Sequence, residues 1–163
     1  MNSINKRGVA KEHPRSGIIQ LSAALIFFLV WILDSFIFMF STILTHYIPF
    51  IVRLILFLSL LIIGLVLIFI AGHILFHGEG QSKLVKTGIF CHTRHPIYLG
   101  SLIIYLGFTF LSLSLLSIIG FIIVFILYDW LATFEEKDLE MTFKEEYLEY
   151  KKTVPKWIPS IKK

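Results

Sequence analysis

The stretch IYLGSLIIYLGFTFLSLSLLSIIGFIIVFILYDW, residues 97–130, decides how this chain folds. Its only formal charge is Asp129, and its 34 residues would form a single helix about 51 Å long. That length exceeds one membrane crossing of about 20 residues and falls slightly short of two separate crossings. The serines at 112–117 interrupt the apolar run, so a tight helical hairpin that turns there is one solution.

The distribution of Lys and Arg favours the hairpin. Four of the 15 basic residues lie in the first 16 positions, three lie between residues 83 and 94, and seven follow residue 136. Arg53 stands apart from these groups. The positive-inside rule places the other 14 on the cytoplasmic face of a membrane. Both ends of the stretch 97–130 then lie on one side, so it must cross the membrane twice.

The composition agrees with a membrane protein. Of 163 residues, 56% are hydrophobic and 16% are charged, with a mean hydropathy of +0.82, whereas soluble domains carry about a quarter charged residues. This excludes a soluble globule, a disordered chain and a nucleic-acid-binding domain. Residues 18–40 and 50–76 are two further apolar runs of spanning length.

The chain is therefore predicted to be an all-α, polytopic integral membrane protein with about four transmembrane helices and both termini in the cytoplasm. We expect a single membrane domain over 1–163, with a basic cytoplasmic arm at 1–16 and two transmembrane helices within 17–77. The remaining part, 78–163, contains a polar loop, the hairpin and a tail. Residues 134–152 predict an interfacial tail helix, because four apolar positions recur on one helical face. They are Leu139, Phe143, Tyr147 and Tyr150.

The polar loop holds the densest functional chemistry. The segment RHPIYLG at 94–100 places Arg94, His95 and Tyr98 where the third span begins, with Pro96 at a helix start. From spacing alone, these residues serve either as interface anchors or as a binding site.

Charged residues at the spans allow several pairings. Glu135 and Glu136 follow the fourth span, where carboxylates oppose the helix dipole. Three interpretations of the two carboxylates are open: they are solvated, they hold a cationic ligand group, or they pair with Arg94. Asp34 lies inside the first span and either pairs with Arg53 or sits near the far interface.

Histidines near the loop do not predict a metal site. His73 and His77 are four residues apart, and His92 and His95 follow in the loop. This spacing matches no zinc signature, and the chain has one cysteine.

Several elements of the C-terminal half together resemble the isoprenylcysteine carboxyl methyltransferase family, to which phospholipid N-methyltransferases are more distantly related. They are LVKTGIF at 84–90, RHPIYLG at 94–100, the Glu135–Glu136 pair after a helical hairpin, and EEYLEYKKTVP at 145–155. The resemblance implies a membrane methyltransferase that uses S-adenosylmethionine, with 78–163 as its catalytic region. The cofactor pocket that it implies is lined by Leu84, Val85, Phe90, His95, Pro96, Tyr98 and Glu135.

The residues suit such a cofactor chemically. Glu135 can bind its ammonium group, and Arg94 or His95 can bind its carboxylate. Arg94 and Glu136 are the candidates for a catalytic role. Two positions depart from the family pattern: Phe90 replaces a frequent Tyr, and Leu131 stands where eukaryotic relatives carry an Arg implicated in binding the substrate carboxylate.

The acceptor implied by the resemblance is lipophilic, most simply the carboxylate of a prenylated cysteine, and we expect its tail to enter between the third and fourth spans. A carboxylate needs no base, whereas an amine needs one, for which Glu136 or His95 is a candidate. Phospholipid (ethanolamine) N-methylation and small-thiol S-methylation remain open. So do two other classes, an NADPH-dependent sterol-type membrane reductase and a non-catalytic membrane partner protein.

Overall fold

The structure, a computed structural model, describes residues 15–77 and 84–159. Its five α-helices are α1 (Ser16–Ile32), α2 (Phe50–His77), α3 (Pro96–Ser112), α4 (Leu115–Phe143) and α5 (Glu145–Thr153). A π-helical segment, Leu33–Phe38, extends α1, and short 3-10 turns lie at Ile43–His46 and Gly88–Cys91. The predicted basic arm, with Lys6, Arg7 and Lys11, lies outside the described residues, as do Lys83 and the side chain of His77.

Three helical segments are long and apolar enough to cross a membrane: Ser16–Phe38, Phe50–Leu75 and Leu115–Phe143. The fourth apolar helix, α3, has 17 residues, which lies at the short end of the range for a crossing. The fold class is thus confirmed as an all-α polytopic membrane protein. Which side faces the cytoplasm, and the division into arm, spans and catalytic region, stay predictions.

The hairpin turns where the sequence predicted it. α3 ends at Ser112, Leu113 adopts a left-handed conformation with φ 48°, and Ser114 caps α4. The Ser114 hydroxyl accepts a hydrogen bond from the Ser117 backbone N–H at 3.0 Å. A single left-handed residue and a serine cap therefore replace the Gly or Pro expected at a turn.

A buried hydrogen-bond cluster around Asp34 supports this turn. Asp34 accepts from the Ser41 backbone N–H at 3.0 Å, from the Ser41 hydroxyl at 2.5 Å and from the Ser114 hydroxyl. The Ser41 hydroxyl also accepts from the Leu116 N–H at 3.1 Å. These bonds tie the end of α1 to the tip of the hairpin.

Arg53 has a different partner from the one considered for it. Its Nη1 donates to the Leu111 carbonyl at 2.7 Å, while Asp34 is satisfied by serines. The pairing of Asp34 with Arg53 is therefore wrong. Arg53 instead satisfies one of the carbonyl groups that the end of α3 leaves open.

Two glycines let α2 and α3 approach closely. A Cβ on Gly64 would lie 2.6 Å from the Gly100 carbonyl oxygen, and a Cβ on Gly100 would lie 2.7 Å from the Gly64 carbonyl oxygen. Small residues at such a crossing are typical of helix packing in membranes. This contact fixes the start of α3, and with it the polar loop, against α2.

On its other side, α3 packs with α1 and α4 around a core rich in aromatic side chains. The Phe27 ring meets Tyr105 edge to face at 4.8 Å, and the Trp31 Nε1–H donates to the Phe108 carbonyl at 3.0 Å. The buried members of this core are Phe27, Trp31, Tyr98, Leu102, Tyr105, Val124, Tyr128, Leu131 and Ala132.

The tail differs from the predicted interfacial helix. α4 continues through residue 143, Lys144 breaks it with φ 49°, and α5 follows. The predicted apolar stripe forms one cluster, in which Tyr147, Tyr150 and Val154 pack with Leu84. The stripe therefore covers the polar loop.

We expect Gly64→Ala to lower the free energy of unfolding by about 1–3 kcal/mol, because the added methyl overlaps the α3 backbone. Gly72→Ala in the same helix is the matched control, since a Cβ there meets nothing within 4 Å. Thermal unfolding in detergent measures both variants. Equal midpoints for the two would contradict the close contact.

We expect Asp34→Ala to destabilise the protein by about 2 kcal/mol or more, because it leaves buried hydroxyl and N–H donors without an acceptor. Ser59→Ala is the control, because the exposed Ser59 hydroxyl bonds only its own helix. The same thermal measurement applies. If Asp34→Ala unfolds at the wild-type temperature, the cluster does not hold the turn.

Candidate active site

A cavity of about 190 Å³ lies where the polar loop meets α3, α4 and α5. The structure brings all the predicted cofactor residues together in its wall, and Arg94 joins them. The predicted residues that line it are Leu84, Val85, Phe90, Arg94, His95, Pro96, Tyr98 and Glu135.

The loop is shaped by its glycine and by α5. Gly88 has φ 61°, and a Cβ there would lie 2.6 Å from the Ile74 side chain, so the 3-10 turn needs glycine at this point. The Phe90 carbonyl accepts from the Tyr150 hydroxyl at 2.7 Å. Pro96 then starts α3, with Tyr98 in its first turn. The loop is thus held between α2 and α5.

The acidic side of the cavity is a Tyr–Glu pair. The Tyr98 hydroxyl donates to the Glu135 carboxylate, and the His95 Nδ1 lies 3.7 Å from the other Glu135 oxygen. The hairpin brings these groups together from opposite ends of its two helices. The carboxylate is thereby oriented at the cavity wall.

Glu136 is buried beside the cavity and does not line it. Its Oε1 lies 3.3 Å from Arg94 Nη2 and 3.1 Å from His95 Nε2, and its Oε2 lies 3.3 Å from Lys151 Nζ. The pairing with Arg94 that the sequence suggested is confirmed. A carboxylate engaged on both oxygens is suited to positioning Arg94 and His95, so its place does not support the predicted catalytic role.

The charges around Glu136 follow from their surroundings. Burial lowers the pKa of His95, so the ring is neutral at neutral pH. Its Nε2–H then donates to Glu136, and its Nδ1 keeps a lone pair. The hydrogen bond to Glu140 raises the pKa of Lys151, which therefore stays protonated.

Two groups at the cavity lack partners. The Arg94 side chain is 9% exposed, and its Nε and Nη1 make no hydrogen bond within the part of the chain that the structure describes. The fully buried hydroxyl of Tyr147 is likewise unpaired there. Both residues line the cavity. Unsatisfied buried donors are costly, so this end of the cavity fits an anionic ligand group.

Sequence reasoning missed part of the wall. Tyr147 and Tyr150 belong to the predicted apolar stripe, whose helical periodicity marked them as buried but did not assign them to a cavity. Gln20 of α1 gave a fainter signal, as the one amide in the first span. The further lining residues are Gln20, Leu75, Ile97, Leu139, Tyr147 and Tyr150.

Leu131 lies away from the cavity. It is 0% exposed and belongs to the core between α1, α3 and α4. The position at which eukaryotic relatives carry Arg is therefore a packing position here.

The seam between α3 and α4 is filled by tyrosines. Tyr98 and Tyr105 both contact the Tyr128 ring, at centroid distances of 5.3 and 6.1 Å. These side chains are buried and in contact. The predicted entry of an acceptor tail between α3 and α4 would therefore require these rings to move apart.

The segment after α5 closes the loop from the other side. The Arg94 backbone N–H donates to the Pro155 carbonyl at 3.1 Å, and the Thr93 hydroxyl donates to the Lys156 carbonyl at 2.9 Å. Lys156 Nζ in turn lies 2.6 Å from the Asp129 carboxylate. Loop, tail and α4 thus form one unit around His95.

The histidines are not arranged as a metal site in the described ranges. No group of three or more His, Cys, Asp or Glu side chains there is placed to hold an ion.

Comparison with known proteins gives two related findings. Residues 52–146 match the model of the phospholipid methyltransferase family. The chain is also 39% identical over 99 residues to the protein-S-isoprenylcysteine O-methyltransferase of Saccharomyces cerevisiae. That alignment covers 56% of this chain and 41% of the yeast protein, so the chain matches less than half of its relative's length. No solved structure matches significantly.

Both findings confirm the resemblance predicted from the loop and the paired glutamates. The matched segment spans more than half of the chain and contains every predicted cofactor residue. This chain belongs to the phospholipid methyltransferase family.

Proposed function

We propose that this protein is an S-adenosylmethionine-dependent methyltransferase that acts at the membrane surface on a lipophilic acceptor. The observation that carries the proposal is the cavity itself. It joins an oriented carboxylate, Glu135, to unpaired donors on Arg94 and Tyr147. The amino-acid end of the cofactor carries the two opposite charges that such a wall would bind.

The two ends of the cavity wall would bind different groups of the cofactor. Glu135, oriented by Tyr98, would bind the ammonium group. Arg94 would bind the carboxylate through its free Nε–Nη1 edge, because Glu136 already engages its Nη2. Leu84, Val85 and Phe90 supply the apolar wall that suits an adenine ring.

When bound, the cofactor supplies a methyl group on a positively charged sulfur. An acceptor carboxylate reaches the site as an anion, so no side chain has to remove a proton. The protein's work is then to position the reactants and to exclude water. The buried tyrosines of α5 and the tail segment over the loop contribute to that exclusion.

The acceptor that we favour is the carboxylate of a prenylated cysteine or a similar compound, in keeping with the name of the yeast relative. The family's name supports a second candidate, the amine of a phospholipid. An amine needs a base, and the neutral His95 with its free Nδ1 lone pair is then the better candidate than the ion-paired Glu136. A small thiol would be a third acceptor.

The orientation belongs to the same proposal. The 14 basic residues grouped outside the spans support an orientation with both termini and the cavity on the cytoplasmic side. One membrane domain over 1–163 would then carry its catalytic region in 78–163.

We expect the protein in lipid nanodiscs to bind S-adenosylhomocysteine, and Glu135→Gln to weaken that binding by about tenfold or more, because a charged partner of the ammonium is lost. Tyr98→Phe should weaken it less. Glu149→Gln, an exposed position on α5, is the matched control. Calorimetric titration measures the affinities.

The same titration with NADPH separates the other classes. Binding of NADPH without S-adenosylhomocysteine would indicate the reductase. Binding of neither, by a folded protein, would indicate a non-catalytic partner. Unchanged affinity in Glu135→Gln would refute the assigned role of that carboxylate.

We expect the methylation rate with a farnesylated cysteine to stay nearly constant between about pH 7 and pH 8.5, because the acceptor carboxylate is fully ionised there. The lowered pKa of His95 keeps its ring neutral over the same interval. Transfer of a radioactive methyl group measures the rate. With phosphatidylethanolamine as acceptor, a rate that rises with pH is expected, since the amine must lose a proton. A steep rise with the farnesylated acid would contradict the base-free mechanism.

A further inference from the structure

Gln20 is the contribution of α1 to the cavity wall. It lies in the second turn of a largely apolar helix and is partly buried. Its amide makes no hydrogen bond with any part of the chain that the structure describes. A primary amide in an apolar setting is costly unless it finds a partner.

Two polar groups of the first span, by contrast, are satisfied within the fold. The Trp31 Nε1–H has two acceptors on α3, the Phe108 carbonyl at 3.0 Å and the Ser112 hydroxyl at 3.1 Å. Asp34 has its serines. Unlike these two groups, the Gln20 amide lines the cavity, where it presents a donor and an acceptor.

The position of α1 separates Gln20 from the cofactor residues. Every predicted cofactor residue lies inside the family-matched segment 52–146, whereas α1 lies before it. A side chain from outside the shared segment is suited to select the acceptor. The Arg position of eukaryotic relatives cannot serve here, since Leu131 is in the core.

The neighbouring wall residue from α2 gives a route for the acceptor tail. Leu75 lies near the end of α2 and lines the same cavity as Gln20. Among the described residues, α1 packs mainly against α4, and α2 packs mainly against α3. Within those ranges, the seam between α1 and α2 is not closed by extensive contact. An apolar chain in that seam would have its polar end beside Gln20.

We propose that Gln20 and Leu75 form the acceptor subsite of this cavity, which rests on the proposed function. The Gln20 amide donates to the acceptor-carboxylate oxygen that is not methylated, and the hydrocarbon chain passes Leu75 into the bilayer between α1 and α2. A neutral amide orients the anion without holding it as a fixed ion pair. The neutral ester product is then bound less well and leaves.

The charge of residue 20 tests this assignment. Gln20→Glu places an anion beside the acceptor carboxylate, and Gln20→Leu removes the hydrogen bond. In nanodiscs, with a farnesylated cysteine as acceptor, we expect the KM to rise about tenfold or more for Gln20→Glu and a few-fold for Gln20→Leu. The affinity for S-adenosylhomocysteine should stay at the wild-type value in both. Leu21→Ala, which changes the adjacent, 62% exposed lipid-facing residue, is the control and should leave both quantities unchanged.

The outcomes are distinct. A wild-type KM in both Gln20 variants would overturn the subsite, and so would a loss of S-adenosylhomocysteine binding, which would assign Gln20 to the cofactor. A lower KM for phosphatidylethanolamine in Gln20→Glu, with no change for the acid, would overturn the carboxylate assignment. Failure of the wild type to bind S-adenosylhomocysteine and to methylate either acceptor would refute the proposed function itself.

Discussion

The rest of the structure depends on a chain reversal inside the apolar part of the molecule, supported by the Asp34 carboxylate. A turn between two membrane helices exposes backbone N–H and C=O groups that lipid cannot satisfy. The side chains of Asp34, Ser41 and Ser114 supply the hydrogen-bond partners that lipid lacks. They come from the end of the first span and from the tip of the hairpin. The far end of the protein thus sets the geometry of the cavity, because the reversal returns α4 to the side where α3 began.

The returning helix delivers two adjacent glutamates with different surroundings. Neighbouring residues on a helix point about 100° apart, so Glu135 faces the cavity while Glu136 faces the loop and α5. One carboxylate is then available to a ligand, and the other holds the arginine and histidine in place. Two adjacent glutamates that look equivalent in the sequence thus have different roles: Glu135 is placed to bind a ligand, and Glu136 positions neighbouring side chains.

Charge placement and apolar length predicted the transmembrane helices and the reversal, because both act through a membrane in a simple way. Much of the cavity wall was instead implied by the resemblance of the loop and the paired glutamates to a known family. The sequence did not predict the partners of Asp34, since Ser114 lies 80 positions away in the chain and a lone acid carries no pairing signal. Spacing alone did not distinguish Glu135 from Glu136, because the direction in which a helical side chain points is useful only when its packing partners are known; the assignment of Glu135 to the cofactor came from the resemblance. Gln20 escaped notice because one amide in an apolar run has no periodicity.

The bonds of Thr93 and Arg94 to Pro155 and Lys156 also bear on how the protein is made. A ribosome releases the loop long before it releases the segment that closes it, and both hairpin helices must enter the bilayer in between. During synthesis, the Arg94 backbone N–H and the Thr93 hydroxyl therefore lack these carbonyl partners until residues 155 and 156 have been added. The bonds that close the cavity form only after residues 155 and 156 have been made, so a chain stalled within α4 would lack them.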